Sequence, residues 1–374
     1  MSMLKRVGLS ALLCLCLVMG GCWDANDIED MTIPTAASYD IDHTGGQSTL
    51  RRYLITTLNP NLIPDAPKKY RIEAISGQTI GEIRSNRHFQ SPRPYVVGMI
   101  QVNVFSKEVA GLGLRSTTDI LYRSPAISNA LMLAVATGRG DEIIKTRSEN
   151  YQDVGYLLID LLHNAKKNNF MVSTTLHELA RCIFTPGRNP VMPALQTDGK
   201  NIIHAGTAIF KRDRLIDIID EHETRSLVLL RGIEAHGYIK YVLEREGNVA
   251  DVGTIFAKNS RKVEVTRQGD QFTFNIKILL QGPLVERFTN QPLLADPQAL
   301  TEIENQIATD IRQEAEAFIE KMQNDYQIDC IDISKYALAH WRQELTPVID
   351  KDFIDKADIK VQVKVKIINT GDLD

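Results

Sequence analysis

No serine in the chain stands in a G-x-S-x-G elbow, and neither G-x-x-x-x-G-K-[ST] nor G-x-G-x-x-G occurs. The commonest nucleophile and phosphate-cradling motifs are therefore absent. His177-Glu178 is followed by Leu179-Ala180-Arg181, so the zinc-binding H-E-x-x-H pattern fails at its last position. His222 and His236 have no Cys or carboxylate at ligand spacing and read as surface or capped histidines. With a formal net charge of -4 there is no basic excess of the kind that nucleic acid selects. Beyond Met19 no apolar run approaches the roughly 20 residues of a membrane-crossing helix. These absences exclude the obvious enzyme classes, a nucleic-acid partner and a spanning segment, and no cofactor or metal is expected.

What is present begins at the N-terminus. Lys5 and Arg6 precede a run from Val7 to Met19 that is apolar apart from Gly8 and Ser10, the order of a secretory signal. As a helix that run would reach only about 20 Å, too short for an anchor. Small Gly20 and Gly21 directly before Cys22 resemble a bacterial lipobox, whose cysteine is linked to diacylglycerol before cleavage on its amino side. Residues 1–21 are thus expected to leave, with Cys22 as the lipidation site. A diacyl anchor holds firmly where one chain would not. Loss of Lys5 and Arg6 takes the charge from -4 to -6.

Five cysteines then sort by position. Cys14 and Cys16 leave with the signal and Cys22 carries the lipid. Cys182 and Cys330 remain, able to pair or to lie buried as thiols; the apolar Leu179 to Phe184 context favours the buried thiol. The chain after the signal exceeds what one core usually serves, which predicts two or three domains.

Periodicity supplies the elements. Strands are predicted over 36–41, 50–58 and 70–75, with a turn at His43 to Gln47 between the first two, and Asn59-Pro60 ends the second. Ile80 and Ile83 mark a helix over 79–86. Ile100, Val102 and Val104 alternate with Gln101, Asn103 and Phe105 as a strand, and 112–122 reads as one helix. A strand covered on both faces follows at 130–136. Gly138-Arg139-Gly140 reads as a turn, not an anion cradle, because Asp141 and Glu142 follow it, and a helix runs from 141 to 146. Helices at 155–165 and 174–184 come next, the latter capped by Thr174 or Thr175. A domain boundary is placed after Thr197, dividing an N-terminal α/β domain, 22–197, from a C-terminal α+β domain, 198–374.

The second part is predicted to open with strands at 205–210 and 215–219 and a helix at 221–231. A hairpin pairs 263–266 with 272–280. Asp296-Pro297 caps the longest helix, 297–324, with Leu300, Ile303, Ile307, Ile311, Ala315, Phe318 and Met322 on one face. A helix at 332–343 and a strand at 359–368, apolar on one face and basic on the other, close the chain. The fold class is α/β and α+β, a multi-domain ectodomain of mixed sheets packed by helices. Acid pairs such as Asp217/Asp220 and Glu221/Glu223 suit a solvated face or first helical turn better than a glycosidase.

Several of these stretches together resemble the Ger(x)C family of spore germination lipoproteins, the C-type subunits of nutrient germinant receptors. They are Gly21-Cys22-Trp23-Asp24 with Ile28-Glu29-Asp30, Val96 to Phe105, Asp119 to Pro125, Ala136 to Asp141, and Pro186 to Pro193. Gly206 to Leu215 with Glu223-Thr224-Arg225, Val361 to Ile367, and Thr370-Gly371 complete the set. Cys182, Ala136 and Ile368-Asn369 depart from the pattern. The resemblance implies a lipoprotein on the outer surface of the spore's inner membrane, assembled with an A-type and a B-type membrane subunit, without catalytic residues. A substrate-binding lipoprotein of a nutrient importer and a cell-wall hydrolase are the competing classes. Four consecutive charges, Lys211-Arg212-Asp213-Arg214, suggest a rigid polar rim, so Lys211, Arg212 and Arg214 are the candidate partner contacts.

Overall fold

The computed structural model describes residues 27–44, 51–63, 66–91, 93–151, 153–245, 247–288, 297–351 and 353–369. The lipobox with Cys22, the centre of the 43–47 turn, the Asp296 cap and Thr370-Gly371 lie outside them.

Two sheets organise these residues. The first is nine-stranded. Its elements are β1 (Ala36–Ile41), β2 (Tyr53–Pro60), β3 (Tyr70–Gly77), α1 (Ile80–Gln90), β4 (Val102–Ser106), α2 (Lys107–Leu112), α3 (Arg115–Arg123), β5 (Met132–Ala136), α4 (Gly140–Lys145), α5 (Val154–Asn168), β6 (Thr174–Thr175), α6 (Leu176–Phe184), β7 (Val191–Thr197), β8 (Ile202–Lys211) and β9 (Arg214–Ile219). Strand order is β3-β2-β1-β4-β5-β7-β8-β9, with β6 paired to β5. β1, β4, β5 and β7 run parallel, and the antiparallel β2–β3 and β8–β9 flank them.

Helices cover both faces of this sheet. On one face Tyr39, Phe105, Leu133 and Phe210 share a core with Ile83 of α1, Val109 of α2 and Leu179 of α6. On the other, Val102, Val104 and Ala134 pack on Ile143 of α4 and Leu158 and Leu162 of α5. β4 is consequently buried along its whole length, and the two-faced alternation expected there is not observed. A strand between two helical layers has no solvent side to mark with polar residues.

The second sheet is five-stranded. After α7 (Glu221–Arg231) come β10 (His236–Arg245), β11 (Asn248–Gln268), β12 (Gln271–Gly282), β13 (Leu284–Arg287), α8 (Pro297–Lys321), α9 (Ser334–Leu345) and β14 (Asp358–Ile367). β11 and β12 form the expected hairpin, and β14 returns parallel to β12. Phe272, Phe274, Ile276, Ile278 and Leu280 all face the core, with Ile303, Ile307, Ile311, Ala315 and Phe318 of α8 across from them. The long helix thus packs on its own domain's sheet. Its opposite face is solvated, as the period-3.6 stripe requires.

Several boundaries differ from expectation for local reasons. The helix expected over 112–122 is α3, which starts at Arg115, because Gly113 at φ 110° ends a separate short helix, α2, at Leu112. Asn59 and Pro60 close β2 from within, and Thr174 pairs as β6 while Thr175 caps α6 through a capping box with Glu178. Asp332, at φ 59°, precedes α9 and does not open it. β10 and the first half of β11 had no predicted counterpart. The division expected after residue 197 falls between β7 and β8, which pair with each other, so sheet membership changes only after Ile219.

One crossing depends on a missing side chain. Gly206 of β8 sits at φ 117°, and a Cβ there would be driven into the carbonyl of Ile219. Gly199 has φ 90° but open space around it. Replacing each by alanine separates backbone strain from collision. Gly199→Ala should cost about 1–2 kcal/mol, the left-handed penalty alone, and Gly206→Ala at least twice that in urea unfolding. Equal losses would show that the β8–β9 approach is not tight.

Candidate functional site

The residues singled out in the sequence lie around the seam where the two sheets meet. Lys211 pairs with Arg214 across the β8–β9 hairpin, leaving Arg212 and Asp213 as its tip. Lys211 and Arg214 are exposed and make no ion pair among the described residues. The tip is tied to neighbouring segments. Arg212, at φ 60°, donates its backbone N–H to Asn189 Oδ1 at 3.0 Å, its guanidinium to the Ile183 carbonyl at 3.3 Å, and pairs with Asp350 at 3.1 Å. Asp213 receives the N–H groups of Leu114, at 2.8 Å on its carbonyl, and Arg115, at 3.1 Å on its carboxylate. Lys211, Arg212 and Arg214 are all exposed, and Arg212 also braces the hairpin to Asn189, Ile183 and Asp350.

The same seam holds the Pro186 to Pro190 stretch, and each residue between the prolines binds a segment far along the chain. Gly187 N–H donates to Asp350 Oδ1 at 2.8 Å. Arg188 grips Asp332 with both arms, at 2.8 and 2.6 Å, and Lys335 adds a third bond at 2.8 Å. The Asn189 amide donates to the Asp329 carbonyl at 3.2 Å. Arg231, the last residue of α7, donates to the carbonyls of Asn189, at 3.0 Å, and Cys330.

Burial sets the electrostatics here. Desolvation works against the Asp332 carboxylate, yet the Arg188 fork, the Arg231 charge and Lys335 together outweigh it and hold its pKa well below the usual range. Asp329 is pushed the other way, first by burial and then by the charge of Asp332, although its oxygens accept N–H bonds from Ile331 at 3.0 Å and Ser334 at 2.6 Å. Cys330 lies beside it as a buried free thiol raised by burial, and Cys182 is likewise a buried free thiol.

Glu223-Thr224-Arg225 is an internal clamp as well. Glu223 takes Lys321 Nζ at 2.7 Å, Arg225 takes both oxygens of Glu314 at 2.7 Å, and Thr224 donates to Thr207 at 3.0 Å. The clamp joins α7 to α8 and β8. The acids weighed for hydrolysis are employed the same way: Asp217 accepts from Tyr326 at 2.6 Å and Asp220 caps α7 through the Glu223 N–H at 2.9 Å. In the Gly138 to Asp141 turn, Gly140 N–H donates to buried Asp40 at 2.7 Å, while Asp141 is held by Arg139 at 2.8 Å and Lys145 at 2.6 Å. His177 stands exposed on the first turn of α6.

What the arrangement does chemically is fasten the sheets to each other and present charge at their edge. Arg188, Arg231, Asp329 and Asp332 had no individual signal in the sequence. The only available hint was a Gly-Arg-Asn triplet held between two prolines.

A family model described as "Spore germination protein N-terminal domain" matches residues 24–197, and one described as "Spore germination B3/ GerAC like, C-terminal" matches 205–371. The chain is 21% identical over 363 residues to spore germination protein GerQC of Bacillus cereus, covering 96% of this chain and 97% of that protein. It is 20% identical to spore germination protein B3 of Bacillus subtilis, with 97% of each covered. Its fold matches the crystal structure of the GerBC protein with a TM-score of 0.60 at 15% identity, over 92% of this chain and all of that one.

The Arg188–Asp332 pair makes a directional prediction. A folded pKa below the unfolded one contributes stability that is complete above about pH 4 and is lost as pH falls through the folded value. Arg188→Ala should cost about 3–5 kcal/mol at pH 7 by leaving a buried carboxylate without its fork. Its acid limb should also begin at higher pH than in the parent. Urea midpoints from pH 3 to 7 read both effects, and parallel acid limbs would remove Arg188 as the cause.

Proposed function

Because the chain belongs to the Ger(x)C family of spore germination proteins, we propose that it is a non-catalytic, lipid-anchored C-type subunit of a spore nutrient germinant receptor. Diacylglycerol on Cys22 holds it on the outer surface of the spore's inner membrane, where it assembles with an A-type and a B-type membrane subunit. The observation that carries this reading is the span of the likeness, since the two family models follow one another over 24–197 and 205–371.

Two features of the structure support it. Among the described residues no helix is long and apolar enough to cross a membrane, so in this reading the attachment falls to Cys22. The ion pairs Arg188–Asp332, Arg212–Asp350 and Arg225–Glu314 tie distant segments together around the seam, which suits a scaffold that positions partners. An importer's binding protein would instead need a roomy cleft. The cleft between the two halves is about 230 Å³, below the roughly 300 Å³ at which nutrient-sized pockets begin, and the larger hollows of about 340 and 480 Å³ each lie within one half, not between the two.

The partner face in this proposal is the exposed Lys211–Arg214 pair. Converting both to Glu should abolish co-purification of the membrane subunits and the germination response. Surface charge changes move stability by less than about 0.5 kcal/mol, so melting should stay unchanged. Arg212→Glu should behave differently, lowering stability itself by setting like charges against Asp350. A Lys211→Glu/Arg214→Glu receptor that assembles and germinates normally would remove the pair from the interface.

The anchor is tested separately. Intact mass of the membrane-extracted chain should place diacylglycerol on a Cys22 N-terminus, and Cys22→Ala should shift the protein to the soluble fraction. Firm membrane retention of Cys22→Ala would refute the anchor.

A further inference from the structure

At the seam, next to the Arg188–Asp332 pair, the two halves of the molecule leave a cleft of about 230 Å³. Lys166 of α5 and Arg181 of α6 line it from the first sheet, Arg231 and Lys335 from the second, with Arg188 between them. Only two carboxylates join these five cations, Glu178 and Asp332. Both are already occupied. Glu178 accepts the Thr175 N–H at 2.8 Å in the cap of α6, and Asp332 takes both arms of Arg188 together with Lys335.

Of the remaining cations, Arg231 acts on the Asp332 charge without an ion pair to it, and Lys166 and Arg181 have no acidic partner among the described residues. The half-buried Arg231 guanidinium touches the Asn189 and Cys330 carbonyls and, at 3.9 Å, the Cys182 sulfur, none of which carries a charge. Asp329, the other acid near Arg231, does not line the cleft and has both oxygens on backbone N–H groups. Arg181 is exposed and Lys166 and Arg231 are half-buried, and unpaired positive charge gathered in a concavity concentrates potential and draws anions.

We propose that this cleft binds a compact oxyanion, the phosphate or carboxylate group of a small free solute, held by Lys166, Arg181 and Arg231 with the Ser173 hydroxyl as a further donor. Guanidinium forks match the planar or tetrahedral oxygens of these groups, which selects them over halides. The small volume selects a group of a few atoms over a whole nutrient. Because the cations come from elements packed on different sheets, the bound anion would tie α5 and α6 to the end of α7 and stabilise one setting of the seam. The inference does not depend on the receptor reading.

The test uses the full chain carrying Cys22→Ala, so that no lipid headgroup competes. Thermal melting is followed against inorganic phosphate, and separately succinate, with sodium chloride at matched ionic strength as reference. A specific site predicts a saturable rise in melting temperature in at least one of the two. Salting effects of phosphate rise linearly without saturation. The Lys166→Ala/Arg181→Ala variant touches none of the seam's hydrogen bonds and should weaken the half-saturation concentration at least tenfold while melting like the parent in chloride. A linear response identical in both proteins would overturn the proposal, and so would a saturable response that the double variant leaves undiminished.

Discussion

Leu227, Val228, Leu229 and Leu230 are consecutive on α7 and fully buried. At 100° per residue four successive side chains point most of the way round a helix, so α7 must be covered on nearly every side. The cover comes from both sheets at once: Ile209 and Ile219 of the first, Ile239, Ile255 and Phe274 of the second. Much else in the molecule accommodates that wedge. Gly206 lets β8 pass close to Ile219, where the chain leaves the first sheet for α7. Asp220 caps the start of α7, and Arg231 and Arg261 stand at its end, Arg261 on the Leu230 carbonyl, where cations complement the helix dipole.

The charges of the seam are better understood as fixing how the halves meet than as a source of stability. A buried ion pair recovers little beyond its desolvation cost, while breaking it is expensive. Arg188 and Asp332, 13% and 6% exposed in their side chains, therefore penalise any arrangement of the sheets that separates them. The same logic divides the charged turn at 211–214. Side chains facing each other across a hairpin share a face, so Lys211 and Arg214 project together, whereas the tip residues are tied to Asn189, Asp350 and the α2–α3 junction. Four adjacent charges that look equivalent in sequence thus have two different occupations.

Local pattern alone determined a good part of the fold. The helix at 221–231 lies where its acidic start, apolar stretch and terminal Arg-Gly place it. The hairpin strand 272–280, the stripe of the long helix and the alternating final strand are present as read, because a period of 2 or 3.6 states directly which side chains are buried. The ordered run of family-like stretches was also legible, since it needs only the linear sequence. β10 was legible in principle, as Ile239, Tyr241 and Leu243 alternate with exposed or half-buried neighbours, but Gly232, His236 and Gly237 obscure its start.

What pattern cannot state is the object against which a face is buried. Gly187 and Asp350 are 163 residues apart, Arg188 and Asp332 are 144, and nothing local to either member specifies the other. β4 alternates in sequence but is covered on both faces, because the layers that cover it come from helices before and after it in the chain. The cationic cleft is of the same kind: five unremarkable surface-type residues from five segments become one site only when the two sheets close around α7. Spacing along the chain was enough for most of the elements, for the buried side of the clearly amphipathic ones and for the family likeness. The seam, the brace made by Arg212 and the cleft were decided by tertiary structure alone, since distance between residues in space is set by topology and not by their separation in sequence.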